Sequence, residues 1–287
     1  MASLADVGQR LRGHRAALGQ SIDAVARAVK VSRALLYRYE AGEIVKLDIV
    51  DRLARYYGTT TPALLGLGQE YVTNAVAFFE RLEKLEQEAD HITTVFGPVA
   101  YALTSSSYDE ALMRALGTPD DAADALTPSE LQRLRRVLQR RKASLREHKP
   151  GFVNIIPLAE IQTYLTAGLN GASDLPGAER AARRRVAVKE MEHLAGLIAK
   201  PPMGVQIVLT PRPLPTAGFQ VLRFKDRRLL VVSPFRLGEP LNLRYGVAMI
   251  SSDEQALRLH ESLVARLWES SLSGQRAIEQ IEKAIKG

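Results

Sequence analysis

Apolar and polar positions in residues 1 to 66 recur at helical spacing in five short runs. The first spans about Asp6 to Leu18 and stops at Gly19, which suits the left-handed conformation of a helix end. Ser21 precedes the second as an N-cap, with Asp23 in its positive first turn and Val25, Ala26 and Val29 on its apolar side. Ser32 caps a third run that closes at Gly42. A fourth covers about Leu47 to Tyr57, with Ile49, Val50 and Leu53 facing inward and Gly58 behind it. Thr61 as cap and Pro62 at the first helical position open a short fifth through Leu64 and Leu65.

From Tyr71 the spacing changes. Tyr71, Ala75, Phe78, Leu82, Leu85, Ala89, Ile92 and Phe96 alternate by fours and threes, a heptad seam that predicts one long helix ended by Gly97 and Pro98. That seam packs into the remainder of its own chain or, as the alternative, against a second copy. After the loop "GTPDDAADAL", "TPSE" at 127–130 is a capping box with proline at its first helical position. The helix it opens carries Arg133, Arg135, Arg136, Arg140, Arg141, Lys142 and Arg146, a solvated basic face or a surface that steers nucleic acid.

Further on, strands are predicted at Phe152 to Ile156, Val205 to Leu209, Phe219 to Phe224 and Leu229 to Val232, with turns such as "TPRPLPTAG" between them. A helix is predicted over Glu179 to Ile198. Ser252 with Gln255 forms another capping box, before a helix striped by Leu257, Val264, Leu267 and Trp268. A last helix follows Gly274 with Ile278, Ile281 and Ile285. The fold class expected is α+β, mainly α. Its parts are an N-terminal five-helix domain (1–68), a helical connector that begins the next domain (69–117), and a mixed α/β domain (118–287).

The third run, "SRALLYRYEAG", has two usable faces. Leu36, Tyr39 and Glu40 fall on one side, and Arg33, Ala34, Tyr37, Arg38 and Ala41 on the other. One side is needed for the core; the other is free to touch something. Two helices joined by a tight turn, the second short and presenting such a face, have the layout of a helix-turn-helix.

Composition narrows the partner. The chain has 287 residues, a net charge of +7 and 46% hydrophobic residues, which fits an ordinary globular protein of about two domains and permits a polyanionic partner. No run of 18 apolar residues occurs, and "MASLADVGQRLRGHR" has no apolar core before a small-residue cleavage site, so a cytoplasmic protein without membrane attachment is expected. With no cysteine, disulfides, thiolate metal sites and a cysteine nucleophile are excluded. The histidines at 14, 91, 148, 193 and 260 never take a metal-ligand spacing. No Gly-x-Ser-x-Gly elbow, phosphate loop or dinucleotide fingerprint appears, and the chain is expected not to be an enzyme and to need no metal or cofactor. The hydroxyls of "LTSSSYDEAL" line a small pocket or cap a helix.

"GQSIDAVARAVKVSRALLYRYEAG", flanked by "RLRGHR" and "LDIVDRLARYYGTTTPALLG", resembles the phage-repressor-like, or XRE-type, helix-turn-helix family. The resemblance implies a bacterial transcription regulator that places the helix after Ser32 in the major groove of double-stranded DNA. The residues it points to are Ser21, Lys30, Ser32, Arg33, Ala34, Tyr37, Arg38 and Lys46. Arg33 and Arg38 have the geometry to donate two bonds to a guanine, and Arg33 serves equally as a phosphate anchor. Ala34 suits a thymine methyl, and Tyr37 a base or a phosphate. Ser21, Lys30 and Lys46 are phosphate anchors. The family pattern also implies a structural ion pair between Arg15 and buried Glu40. Two positions depart from it: Ile22 replaces a phosphate-holding glutamine, and Lys30 replaces a glycine in the turn.

The segment "FFERLEKLEQEADHITTVFGPVAYALTSSSYDEALMRAL", with the later "FVNIIPLAEIQTYL", "MEHLAGLIAKPPMGVQIVLTP" and "FQVLRF", resembles an uncharacterised domain that follows such units in actinobacterial regulators. Val99 and Leu103 stand where that domain has a glycine and a glutamine. The implied whole is a homodimeric regulator whose C-terminal domain pairs and senses a small-molecule effector or small partner protein. The alternative is an interaction module for which a small regulatory protein is the main partner and DNA the secondary one.

Overall fold

A computed structural model of the chain describes residues 4–43, 46–66, 69–117, 126–169, 171, 176–214, 218–237 and 242–287. Five helices come first: α1 (Leu4–Ala17), α2 (Ile22–Ala28), α3 (Arg33–Glu40), α4 (Leu47–Tyr57) and α5 (Thr61–Leu65). Ser21 and Ser32 accept from the backbone amides of Ala24 and Leu35, as N-caps should. Gly58 takes φ +66° behind α4. The cap of α5 is Thr60 rather than Thr61, so Pro62 lies one residue further in; Thr61 instead donates its hydroxyl to Asp51. Val7, Leu11, Val25, Leu36, Tyr39, Val50, Leu53 and Leu64 fill the core of this bundle. Where α1 crosses the end of α3 the backbones nearly touch: a Cβ on Gly8 would stand 2.7 Å from the carbonyl oxygen of Glu40.

The remaining elements are β1 (Gln69–Val72), α6 (Ala75–Glu88), β2 (His91–Val95), α7 (Ser106–Gly117), α8 (Pro128–His148), β3 (Gly151–Pro157), α9 (Leu158–Ala167), α10 (Gly177–Ala199), β4 (Val205–Thr210), β5 (Phe219–Arg223), β6 (Arg228–Val232), β7 (Ala248–Ser251), α11 (Glu254–Glu269) and α12 (Gly274–Lys286). The strands form one sheet in the order β1-β7-β6-β5-β2-β3-β4, in which β2, β3 and β4 run parallel and the other neighbours antiparallel. Alternating strand residues sort to two faces. Ile92, Phe152, Ile156, Leu222 and Val231 meet α6, α8, α9, α10 and α12 in the main core. Val95, Ile155, Val208, Val221 and Leu230 meet Leu257 and Leu267 of α11. The architecture is α+β and mainly α.

The single long helix expected from Tyr71 to Phe96 is instead strand, helix and strand. Asn74 caps α6 by accepting from the amide of Ala77, and the β-branched run "HITTV" pairs edge to edge with β3 and β5. The four-and-three spacing carries on into β2 because Ile92 returns to the same core as α6, whereas Tyr71 on β1 is exposed and its neighbour Val72 packs there instead. Phe78, Leu82, Leu85, Ala89 and Ile92 are all buried within the chain, which removes them from any seam between copies.

The basic helix is also differently used. Arg133, Arg140 and Arg141 of α8 each bind a carboxylate of α6, namely Glu80, Glu83 and Glu86, and Lys142 donates to Asp109 and to the carbonyl of Ser105. These four hold helices together; Arg135, Arg136 and Arg146 remain exposed. Ser105 accepts from the amide of Tyr108 at the start of α7 and its side chain also contacts Glu190, so this hydroxyl caps and braces a helix. For α11 the cap is Asp253, one residue beyond the expected Ser252.

Candidate nucleic-acid interface

The turn between α2 and α3 fixes how α3 stands. Val29 and Val31 pack on the bundle core from either side of Lys30, which closes the turn at φ +55°. A left-handed backbone costs a side-chain-bearing residue about 1 kcal/mol that glycine avoids. Replacing Lys30 by glycine is expected to raise stability by about 0.5–1 kcal/mol, seen as a higher urea midpoint at unchanged slope. An unchanged or lower midpoint would show that the turn carries no strain.

Anchored by that turn, α3 buries Leu36, Tyr39 and Glu40. The Tyr39 hydroxyl accepts from the backbone amide of Lys46, tying α3 to the start of α4, and Arg52 reaches back to the carbonyl of Val29. Arg15 donates Nε and Nη2 to the two carboxylate oxygens of Glu40 at 2.6 and 2.8 Å, and this pairing raises its pKa above the ordinary arginine value. The opposite face of α3 is left to solvent. Arg33, Ala34, Tyr37 and Arg38 are exposed there, and Tyr37 keeps 62% of its surface.

Ser21, Ser32, Lys30 and Lys46 are exposed around the same helices, the two serines with their oxygens already engaged as caps. Arg33 approaches Asp23 of α2 at 3.4 Å, and Arg38 donates to Glu43 at 3.0 Å. All four of those side chains are half exposed or more, so each contact contributes well under about 1 kcal/mol and yields readily to a stronger anion. The role of Glu43 had no signal in the sequence, because a five-residue spacing across a helix end matches no periodicity. His14, passed over as a metal ligand, stacks on Tyr57 at 5.8 Å between ring centres, and burial lowers its pKa. No cluster suited to a metal ion occurs among the described residues.

The five-helix unit meets the rest of the chain where α1 lies against α6 and α5 against β1, with polar contacts at the junction. Arg227, in the turn between β5 and β6, donates to Asp6 of α1 at 2.8 Å and to Glu88 of α6 at 3.0 Å. Among the described residues no helix is long and apolar enough to cross a membrane.

A family model described as "Helix-turn-helix domain" matches residues 6–66, the five-helix unit. No curated protein matches the chain. Among solved structures, the apo form of the competence regulator ComR from Streptococcus vestibularis is similar at 16% identity over 68% of this chain and 72% of that one, with a TM-score of 0.21. At that score the likeness carries no weight for function. Residues 6–66 are a helix-turn-helix domain.

Proposed function

We propose that this chain is a transcription regulator that reads double-stranded DNA by placing α3 in the major groove. The observation that carries the reading is the outward face of α3, where Arg33, Ala34, Tyr37 and Arg38 are exposed while the helix is pinned from behind by Leu36, Tyr39 and the Arg15–Glu40 pair. A helix held rigidly by one face, with donors on the other, suits base-edge reading, whereas Ser21, Lys30 and Lys46 supply phosphate contacts that set register. Two copies with recognition helices about 34 Å apart would read a two-fold symmetric site. On this reading the sheet-bearing remainder of the chain pairs and senses, the protein works in the bacterial cytoplasm, and it performs no catalysis.

The test is a salt-dependent titration of the DNA upstream of its own gene. Wild-type affinity should fall steeply with salt, as counterion release requires. Arg33→Ala combined with Tyr37→Ala should weaken specific binding by about 1–3 kcal/mol per lost base contact while leaving the unfolding midpoint within about 0.5 kcal/mol of wild type. Full, sequence-selective binding by the double variant would overturn the assignment.

A further inference from the structure

Between α6 and the sheet the main core is incompletely filled. Phe78 and Phe79 of α6, Phe96 and Val99 after β2, Gln220 of β5 and Phe235 after β6 surround a cavity with room of about 70 Å³ for water centres. Water centres keep about 1.4 Å from the surface of the wall, so the space open to a ligand is larger than that figure.

Its wall is aromatic and neutral. Arg141, at one edge, is tied by both nitrogens to Glu86, and Arg236, at another, donates to Glu160, so neither offers a free charge. One polar group in the wall is unmatched. Gln220 is buried, donates Nε2 to Thr94 Oγ1 at 3.1 Å, and leaves Oε1 with no partner among the described residues. Register places Thr94 directly opposite both Gln220 and Asn154, and Asn154 is fully buried with neither amide atom partnered. Three polar residues thus form a row across β5, β2 and β3 on a face otherwise given to Ile92, Phe152, Ile156 and Leu222. An unpaired buried amide costs about 1–3 kcal/mol, and a core that needed only to be filled would carry an aliphatic residue there.

We infer that this cavity is the binding site for a neutral, one- or two-ring aromatic compound carrying a single N–H or O–H donor, which the Oε1 atom of Gln220 accepts while the phenylalanines enclose the ring. The inference rests on the reading of the C-terminal portion as the sensing part, and names the chemical class it senses. Its location suits that role: α6 forms the cavity wall through Phe78 and Phe79 and, at its other end, meets the helix-turn-helix unit through Glu88.

The test uses the full chain without DNA, with indole as probe and 1-benzothiophene as the same shape lacking the donor, followed by calorimetry and thermal shift. Indole should bind wild type about tenfold more tightly than benzothiophene, the worth of one buried hydrogen bond. Gln220→Leu should erase that preference while still binding both compounds, and Val99→Phe, at the partly exposed mouth, should abolish both. Circular dichroism checks that each variant is folded. Absence of indole binding to wild type, a preference that survives Gln220→Leu, or binding that survives Val99→Phe would each overturn the inference. The two readings fail separately, because Arg33→Ala leaves indole binding unchanged and Gln220→Leu leaves DNA binding by the unliganded protein unchanged.

Discussion

Glu86→Ala is expected to destabilise the sheet-bearing part of the chain by about 3–5 kcal/mol, enough to unfold it at modest urea concentration. The Arg141 guanidinium on α8 is 6% exposed and the Glu86 carboxylate on α6 is 2% exposed. Arg141 donates Nε and Nη2 to the two carboxylate oxygens at 2.7 and 2.8 Å and lies over the ring of Phe79. Burial by itself lowers the pKa of this guanidinium, and Glu86, through its charge and hydrogen bonds and with Tyr101 and Glu83 adding to it, leaves it raised. Removing the carboxylate therefore leaves a buried cation that cannot neutralise itself. Replacing both partners at once by Leu and Met should be near neutral, because two desolvated charges are exchanged for apolar volume. The neighbouring pair makes the contrast: Arg140 is 53% exposed over Glu83, and Arg140→Ala should cost below about 1 kcal/mol. Urea unfolding of the three variants decides it. A loss below about 1 kcal/mol for Glu86→Ala would mean that water reaches Arg141.

These pairs also mark where sequence patterning loses its reach. The arginines of α8 were visible as a basic face, but the carboxylates they meet lie more than fifty residues upstream on α6, and no local period links the two helices. In the helix-turn-helix unit nearly everything was legible. Its caps, turn residues and apolar spacing are local, and Ser21, Ser32, Gly19 and Gly58 stand where the sequence places helix ends. The two faces of α3 followed from helical geometry alone. The sheet was legible only where strands are mostly apolar and β-branched, as in β3 to β6. β1 and β7 are four-residue strands of mixed polarity at one side of the sheet, and β2 was absorbed into the seam of α6, since a strand and a helix serving one core can share an apolar spacing. The cavity behind Gln220 had no sequence signal, because Asn154, Thr94 and Gln220 become a row only through strand register.

Arg15→Ala should cost the helix-turn-helix unit about 2–4 kcal/mol, and its effect should exceed that of Glu40→Ala. The asymmetry follows from which partner water can reach. The Glu40 side chain is 2% exposed, whereas that of Arg15 is 19% exposed and also donates to the carbonyl of Gln20. Without Arg15 the carboxylate keeps, among the described residues, only Arg12 as an ion-pair partner, whose Nε lies 3.8 Å away on a half-exposed side chain. Without Glu40 the guanidinium turns outward and rehydrates, which limits the loss to the missing hydrogen bonds, about 1–2 kcal/mol. Both residues act behind α3 and neither lies on its outward face, so the ranking of DNA sequences should be unchanged at temperatures where each variant is folded. Thermal unfolding of the two variants, with competition binding between wild-type and altered sites, separates the roles. An equal or reversed order of stability would mean that Glu40 is hydrated in solution. A changed sequence ranking with unaltered unfolding would move Arg15 from holding the recognition helix to reading the groove.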